Sequence, residues 1–437
     1  MNNKQELLHK FESQQAKLGI VGMGYVGLPL AVAFAKVGFE VVGLDVIAEK
    51  VAMLNQGHSY VEDVPDAELA PLIEKGLIRA TTDYADLADV DAISICVPTP
   101  LRKTKDPDIS YIISAADSIV AHAGGTGKLI VLESTTYPGT TEEIVLPRLS
   151  DNGDKVGQEF FLAFSPERVD PGRTDYNMFN TPKVFGGVTP DCLEVTLALY
   201  SQVVEHPVPV SSTAAAEMVK LLENTFRAVN IALVNEVAVM CDKLGLNVWE
   251  VVEAAATKPY GFMKFTPGPG VGGHCIPLDP HYLSWKLKTV NYNARFIELA
   301  SEINSHMPDY VVTKVADALN GDRKAINGSR ILVLGVSYKP NVGDVRESPA
   351  LDIILLLQGR GAEVVYHDPY VEDLSHEGVD CARVELTAET LQTADCVVVV
   401  TNHKAYDWAF VGEQAGLIVD TRNALQKQSA RGQVISL

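Results

Sequence analysis

Residues 17–27, Lys-Leu-Gly-Ile-Val-Gly-Met-Gly-Tyr-Val-Gly, constrain the fold of this chain more than any other segment. Residues 17–22 (KLGIVG) read as a buried strand, Gly22, Gly24 and Gly27 as a tight turn, and Leu28 to Val37 as a helix ended by Gly38. The next strand, EVVGLD at 40–45, closes on Asp45, 18 residues after Gly27. Such glycines let the backbone turn and approach a pyrophosphate. The helix N-terminus supplies N–H donors, and the acid binds a ribose diol. A lone GxGxxG is a weak signal, but here the strand, helix and acid stand in order, so a dinucleotide site is expected. Asp45 would repel a 2′-phosphate, which favours NAD over NADP. Lys50 either reaches the same ribose or is a solvated helix lysine.

Further strand-like runs are DAISICV (91–97), KLIVLES (128–134) and EFFLAFS (159–165), with helical segments between them. This alternation implies a mostly parallel, doubly wound sheet. From Ser212 to about Ala256 the pattern becomes long helix with Gly245 as its one plausible break, and a second helix from Ala294 to about Asn320 carries Pro308. At Ser329 the alternation restarts, with RILVLGV (330–336), EVVYHDP (363–369), DCVVVVT (395–401) and GLIVDTR (416–422). The expected fold is α/β, two Rossmann-like doubly wound lobes joined by a long helical connector. A chain of 437 residues is too long for one core. The expected division is an N-terminal NAD-binding domain over 1–205, a helical central domain over 206–320 and a C-terminal domain over 321–437. SYKPNVGD replaces a glycine fingerprint after the first strand of the second lobe, so no second NAD site is expected there.

Lys plus Arg number 36 against 56 Asp plus Glu, a net charge of −20. Such a chain has no global attraction to nucleic acid or an anionic bilayer, so an anionic ligand must be met by a few local cations. No apolar run reaches the ~20 residues of a membrane span. The N-terminal MNNKQELLHKFESQQ lacks the apolar core of a signal peptide. The six cysteines are dispersed, without zinc-like spacing, so a reduced, cytoplasmic protein without a metal site is expected.

Glycine and proline crowd most densely in PGPGVGGHCIPLDP (267–280), where Cys275 sits beside His274 with Asp279 four residues on. Glycines around a cysteine let backbone and substrate approach the sulfur. A buried structural thiol is the ordinary reading of a lone cysteine, and it holds for the other five. The loop favours a nucleophile at Cys275. A Cys-His-Asp hydrolase is disfavoured, because sequence neighbours rarely face one another as a triad and a dinucleotide site would be surplus.

These elements, with ESTTYPGT (133–140), FSPERVDPG (164–172), EMVKLLENTFRAVNIALVNE (217–236), GPGVGGHCIPLDP (268–280) and SYKPNVGDVRESPA (337–350), resemble the nucleotide-sugar 6-dehydrogenases. That family includes the UDP-glucose and UDP-N-acetylhexosamine dehydrogenases. The resemblance implies oxidation of a sugar C6 alcohol to a carboxylate with two NAD⁺, through an enzyme thioester. Lys220 would assist loss of the hydroxyl proton and, with Asn224, stabilise oxyanions. Cys275 would attack the aldehyde. Glu167 and Thr135 would position or activate the hydrolytic water, with Asp279 assisting. Without the resemblance, Lys220 and Asn224 read as an exposed helix pair, Glu167 as a capping acid and Thr135 as a strand-end hydroxyl.

For the cofactor, the resemblance adds Tyr25, Val26, Pro98, Thr99, Thr135 and Arg346 to the fingerprint. For the UDP-sugar it implies Glu167, Arg168, Lys220, Asn224, Lys264, Phe265, Gly272, Lys339 and Arg295, the last from a neighbouring subunit. Arg422 is a weaker candidate. The C-terminal lobe becomes the UDP-sugar domain, and the central domain a dimerisation element of a homodimer or higher homo-oligomer. PERVDPG stands where UDP-glucose enzymes carry PEFLxEG, so a second acid near the cofactor is absent. With GFMKFTPGPGVGGHCIPLDP and RFIELASEIN, this resembles the UDP-N-acetylhexosamine branch. LESTTYPGTTEE and AATKPYGFM most resemble its UDP-N-acetylglucosamine 6-dehydrogenases of surface-polysaccharide biosynthesis.

UDP-GlcNAc is therefore the expected substrate, with UDP-GalNAc, UDP-ManNAc and UDP-glucose as alternatives. Two readings lie outside this class. A two-electron alcohol or 2-hydroxyacid dehydrogenase needs no nucleophilic cysteine. A catalytically silent, NAD-sensing scaffold would have lost the Cys, Lys, Asn or Glu.

Overall fold

A computed structural model describes residues 2–61, 63–102, 106–168, 175–273 and 275–437. They form two compact units, Met1–Glu223 with His281–Asn291, and Asn224–Pro280 with Tyr292–Leu437.

The first unit holds strands β1 (Lys17–Val21), β2 (Glu40–Leu44), β3 (Ile78–Thr81), β4 (Ala92–Ile95), β5 (Leu129–Leu132), β6 (Phe161–Phe164), β7 (Lys183–Gly187) and β8 (Pro207–Val210). They form one sheet in the order β3-β2-β1-β4-β5-β6-β7-β8. Its first six positions follow doubly wound order. Every neighbouring pair is parallel except β6 with β7. Helices cover both faces, which is why β4, β5 and β6 are buried at every residue and read as continuous apolar runs. Leu18, Ile20, Leu129, Val131 and Phe161 pack on one face, and Val21, Ile93, Ile95, Ile130 and Leu162 on the other.

The second unit carries β9 (Arg330–Leu334), β10 (Glu363–His367), β11 (Ala382–Arg383), β12 (Cys396–Val399), β13 (Leu417–Asp420) and β14 (Gln433–Ser436). Their order, β11-β10-β9-β12-β13-β14, repeats the winding of the first sheet, and all pairs are parallel. Val311 and Val315 of helix Arg295–Gly321 and Ile353 and Leu357 of helix Pro349–Gly359 pack with Ile331 and Val333. The long helix runs Thr213–Leu244 and stops where Gly245 takes φ +68°. Asn247 then caps helix Val248–Ala256 through its side-chain oxygen, as the break at Gly245 implies.

The α/β class and the two wound lobes stand as expected. Five strands do not follow from apolar runs. β3 alternates with Arg79 exposed, β7 begins on a lysine and ends in two glycines, and β8 is the proline-bearing edge PVPV. β11 has two exposed residues, and β14 is a half-buried edge. The polar N-terminus is also structured: Asn2 caps helix Asn3–Glu12, which buries Leu7 and Phe11. Among the described residues, no helix is long and apolar enough to cross a membrane.

Candidate active site

The three fingerprint glycines are required for three different reasons. Gly22 has φ +93°, and a Cβ there would meet the Cys96 carbonyl oxygen at 2.6 Å. At Gly27 a Cβ would run into the Gly22 carbonyl, so the helix could not pack so close to β1. Gly24 has nothing within 4 Å of a Cβ, which leaves its outer surface open to a ligand. Asp45 follows β2 and is buried, its Oδ2 accepting from Met23 N at 3.2 Å and its Oδ1 from Ile47 N at 3.0 Å. The acid is thus fixed beside the glycine turn.

A cavity of about 350 Å³ opens there, lined by Gly24, Tyr25, Glu49, Lys50, Met53, Tyr60 and Val61. The Tyr60 hydroxyl donates to Met23 O at 2.7 Å, and Lys50 Nζ lies 5.0 Å over the Tyr60 ring. Burial, then the Asp45 carboxylate, raises the Tyr60 pKa and keeps that donor protonated. Val26 precedes the helix, while Pro98 and Thr99 follow β4 and Thr135 follows β5. All are at carboxyl ends of strands or on the fingerprint turn, where a dinucleotide binds such a sheet.

The second sheet repeats the scaffold. Gly335 after β9 matches Gly22, with φ +78° and a Cβ direction blocked by Thr401. Asp368 after β10 matches Asp45, but its carboxylate accepts from Val336 N at 2.7 Å and Tyr370 N at 2.8 Å and pairs with buried His403 Nε2 at 2.9 Å. Burial alone would raise the Asp368 pKa. The bonds from His403 and the backbone outweigh it and hold the pKa below the ordinary value. The acid serves the loop itself.

The long helix delivers the next candidates. In the first unit, Lys220 Nζ donates to the Glu167 main-chain oxygen at 2.6 Å. Glu167 Oε1 accepts from Arg168 N at 2.8 Å, and Arg168 pairs with Glu223 at 2.7 Å. In the second unit, Asn224 Nδ2 donates to Asp279 Oδ2 at 2.5 Å, and both residues are 4% exposed. Asp279 N in turn donates to Cys275 O at 2.8 Å. One chain of bonds therefore joins Asn224, Asp279 and the backbone of the half-buried Cys275. Buried Asn235 anchors the front of the same loop, accepting from Gly268 N at 2.9 Å. Gly273 N donates to Arg346 O at 2.9 Å, and a Cβ on Gly272 would meet Glu347 O and Tyr338 Cβ at 2.7 Å. Only glycine lets this loop lie flat on residues 338–348.

The remaining candidates are variously engaged. Lys264 pairs with Glu253 at 2.5 Å, and Phe265 meets Phe226 edge-on at 5.9 Å. Lys339 Nζ lies 6.0 Å over the Tyr338 ring. Arg346 makes a two-point ion pair with Asp344, at 2.9 and 2.5 Å. Arg422 donates to Val400 O at 2.9 Å beside Gly268, and Arg295 is exposed at the start of its helix. His274 and residues 169–172 of the PERVDPG segment lie outside the described residues. Burial pushes the Cys381 and Cys396 thiols up to about 12, fitting structural cysteines. Missing from the sequence reading are Glu133, Lys183 and Tyr200, a buried polar group behind Glu167. The one available signal was a lysine opening the apolar strand KVFGG.

Three profiles of one family match in order: the NAD binding domain of the UDP-glucose/GDP-mannose dehydrogenase family over residues 16–204, its central domain over 214–306 and its UDP binding domain over 332–427. The UDP-N-acetyl-D-mannosamine dehydrogenase of Pyrococcus horikoshii is 35% identical over 419 residues, 94% of this chain and 96% of its own. The UDP-N-acetyl-D-glucosamine 6-dehydrogenase of Pseudomonas aeruginosa is 36% identical over 365 residues, 83% of this chain and 85% of its own. The solved structure of the UDP-D-ManNAc dehydrogenase from Pyrococcus horikoshii superimposes with a TM-score of 0.88 at 34% identity, covering 96% of this chain and 98% of the other.

Proposed function

The chain belongs to the UDP-glucose/GDP-mannose dehydrogenase family, and from that premise we propose that it oxidises the C6 alcohol of a UDP-N-acetylhexosamine, foremost UDP-GlcNAc, to the uronic acid through a thioester on Cys275. It is an NAD-dependent oxidoreductase acting on a UDP-sugar. Bound NAD supplies the hydride acceptor for each of the two oxidations.

The observation that carries the thioester reading is the bonded run Asn224–Asp279–Cys275 within the glycine loop. The amide of Asn224, oriented by Asp279, is a donor for an oxygen carrying negative charge. Lys220 assists loss of the C6 hydroxyl proton to solvent as the first hydride leaves. Cys275 Sγ adds to the aldehyde carbon, its thiol proton passing to the oxygen. Loss of the second hydride and of that proton gives the thioester. Water, positioned by Thr135 and Glu167 and passing its proton to the Glu167 carboxylate, adds to the thioester carbon and expels the thiolate. Covalent capture keeps the aldehyde from escaping between oxidations.

Lys264, Lys339, Arg422 and, across a subunit boundary, Arg295 are the cations proposed for the UDP-sugar in this acidic chain. Phe265, Gly272 and Arg168 line its path. Arg346 is proposed to contact NAD, which requires it to exchange its Asp344 partner. Functionally the chain divides into 1–205, 206–320 and 321–437, acts in the cytoplasm as a homodimer or larger homo-oligomer, and feeds surface-polysaccharide synthesis. UDP-ManNAc is the second reading, because relatives of nearly equal identity are named for each sugar.

Initial rates with UDP-GlcNAc, UDP-ManNAc, UDP-GalNAc and UDP-glucose test the substrate. UDP-GlcNAc is expected to give the highest kcat/KM. A higher value for UDP-ManNAc overturns the first reading in favour of the second.

A further inference from the structure

Among the described residues, the β6–β7 pair is the single antiparallel junction in the first sheet, with Ala163 opposite Gly187 and Phe164 opposite Gly186. Continuing that register by three residues sets Glu167 opposite Lys183. A parallel β7 would have carried its first residue to the other end of the sheet. Lys183 Nζ lies 2.8 Å from Glu133 Oε2, 3.6 Å from Glu167 Oε2 and 3.3 Å from Pro166 O. The Lys183 and Glu133 side chains are 5% and 0% exposed. The Tyr200 hydroxyl donates to the other Glu133 oxygen and stands 2.8 Å from Ser94 Oγ.

A buried ammonium is retained only when ion pairs offset its desolvation. Here burial opposes the charge of Lys183, but Glu133 and Glu167 outweigh it and raise the lysine pKa. The Glu167 main chain is thus held by Lys220, and its carboxylate stands in ion-pair range of Lys183. Among the described residues, Glu133 beyond β5, Cys96 beyond β4, and Arg168 with its partner Glu223 on the long helix are further ionisable groups near it.

We infer that Lys183 is a positioning residue for thioester hydrolysis: shared between Glu133 and Glu167, its ammonium holds the Glu167 carboxylate in place for the water. The inference rests on the proposed role of Glu167. Removing the shared charge leaves the Glu167 carboxylate without that anchor, whereas removing the competing Glu133 leaves the lysine to Glu167 alone.

The test measures the pre-steady-state NADH burst and steady-state turnover, together with intact-protein mass to detect a Cys275 thioester. Glu167→Gln is expected to accumulate thioester. If it hydrolyses as fast as the wild type, the role of Glu167 falls and the inference with it. Lys183→Met/Glu133→Gln, neutral as a pair, is expected to keep the NADH burst and accumulate thioester, while Glu133→Gln, which keeps the lysine, and Lys183→Arg, which keeps its charge, are expected to hydrolyse it as fast as the wild type. If Glu167→Gln accumulates thioester while the double variant does not, or if the double variant loses the burst as well, Lys183 is structural and the inference is overturned. Should the double variant not fold, Lys183→Gln is measured in its place, with the same outcomes.

Discussion

Glu217 lies on the long helix three residues before Lys220 and is fully buried. Its carboxylate accepts from Gly139 N at 2.5 Å, Thr141 N at 2.9 Å and Thr141 Oγ at 2.7 Å. Burial outweighs those bonds and raises its pKa from 4.5 to about 7. A pKa raised on folding gives stability that is complete below 4.5 and lost as pH climbs through 7. The loss amounts to about 3 kcal/mol by pH 8. Glu217→Gln is expected to flatten the fall in unfolding free energy between pH 5 and 8, as read by denaturant titration. An unchanged slope contradicts this assignment.

At the residue scale, Asp45 and Cys275 were legible because local glycine spacing marks them. Glu217, Glu133 and Lys183 were not, since the partners that give them meaning lie 50 or more residues away. The Arg346–Asp344 pair is two residues apart, yet nothing in VGDVRESP requires a bidentate contact.

Among the elements, the fingerprint turn separates stability from binding. Gly22→Ala drives a Cβ into Cys96 O at φ +93° and is expected to destabilise the fold by about 1–3 kcal/mol. Gly24→Ala meets no protein atom within 4 Å. It is expected to leave the thermal midpoint unchanged and to weaken NAD binding roughly tenfold or more by calorimetry, because a methyl there stands between backbone and pyrophosphate. If both variants lose only stability, the turn is not the pyrophosphate cradle.

Strands buried on both faces announced themselves as apolar runs, and Gly245 announced the helix break. Edge strands such as β8 and β14 carry too little burial to leave a pattern. The direction of β7 was also hidden: no local signal states that KVFGG runs against β6, although that reversal delivers Lys183 to Glu167.

For the whole molecule, two wound lobes could be read because each restarts the strand–helix alternation, and the family's five motifs span both. Assembly was less legible. Phe226, Leu233 and Met240, seven residues apart on the long helix, are 44%, 57% and 48% exposed, and Leu244 is 72% exposed. Only the folded chain reveals these apolar residues uncovered. If it joins two copies, Leu233→Glu is expected to halve the mass measured by light scattering. A wild-type protein that is monomeric at micromolar concentration contradicts the homodimer.

The central claim is a four-electron oxidation carried through Cys275. The most direct measurement is the NADH formed per UDP-N-acetylhexosamine consumed, with the product identified by mass, for the wild type and Cys275→Ser side by side. The account predicts two NADH per sugar and a uronic acid for the wild type, and for Cys275→Ser no uronic acid at a comparable rate. One NADH per sugar, or a Cys275→Ser protein that makes the acid at the wild-type rate, would contradict it.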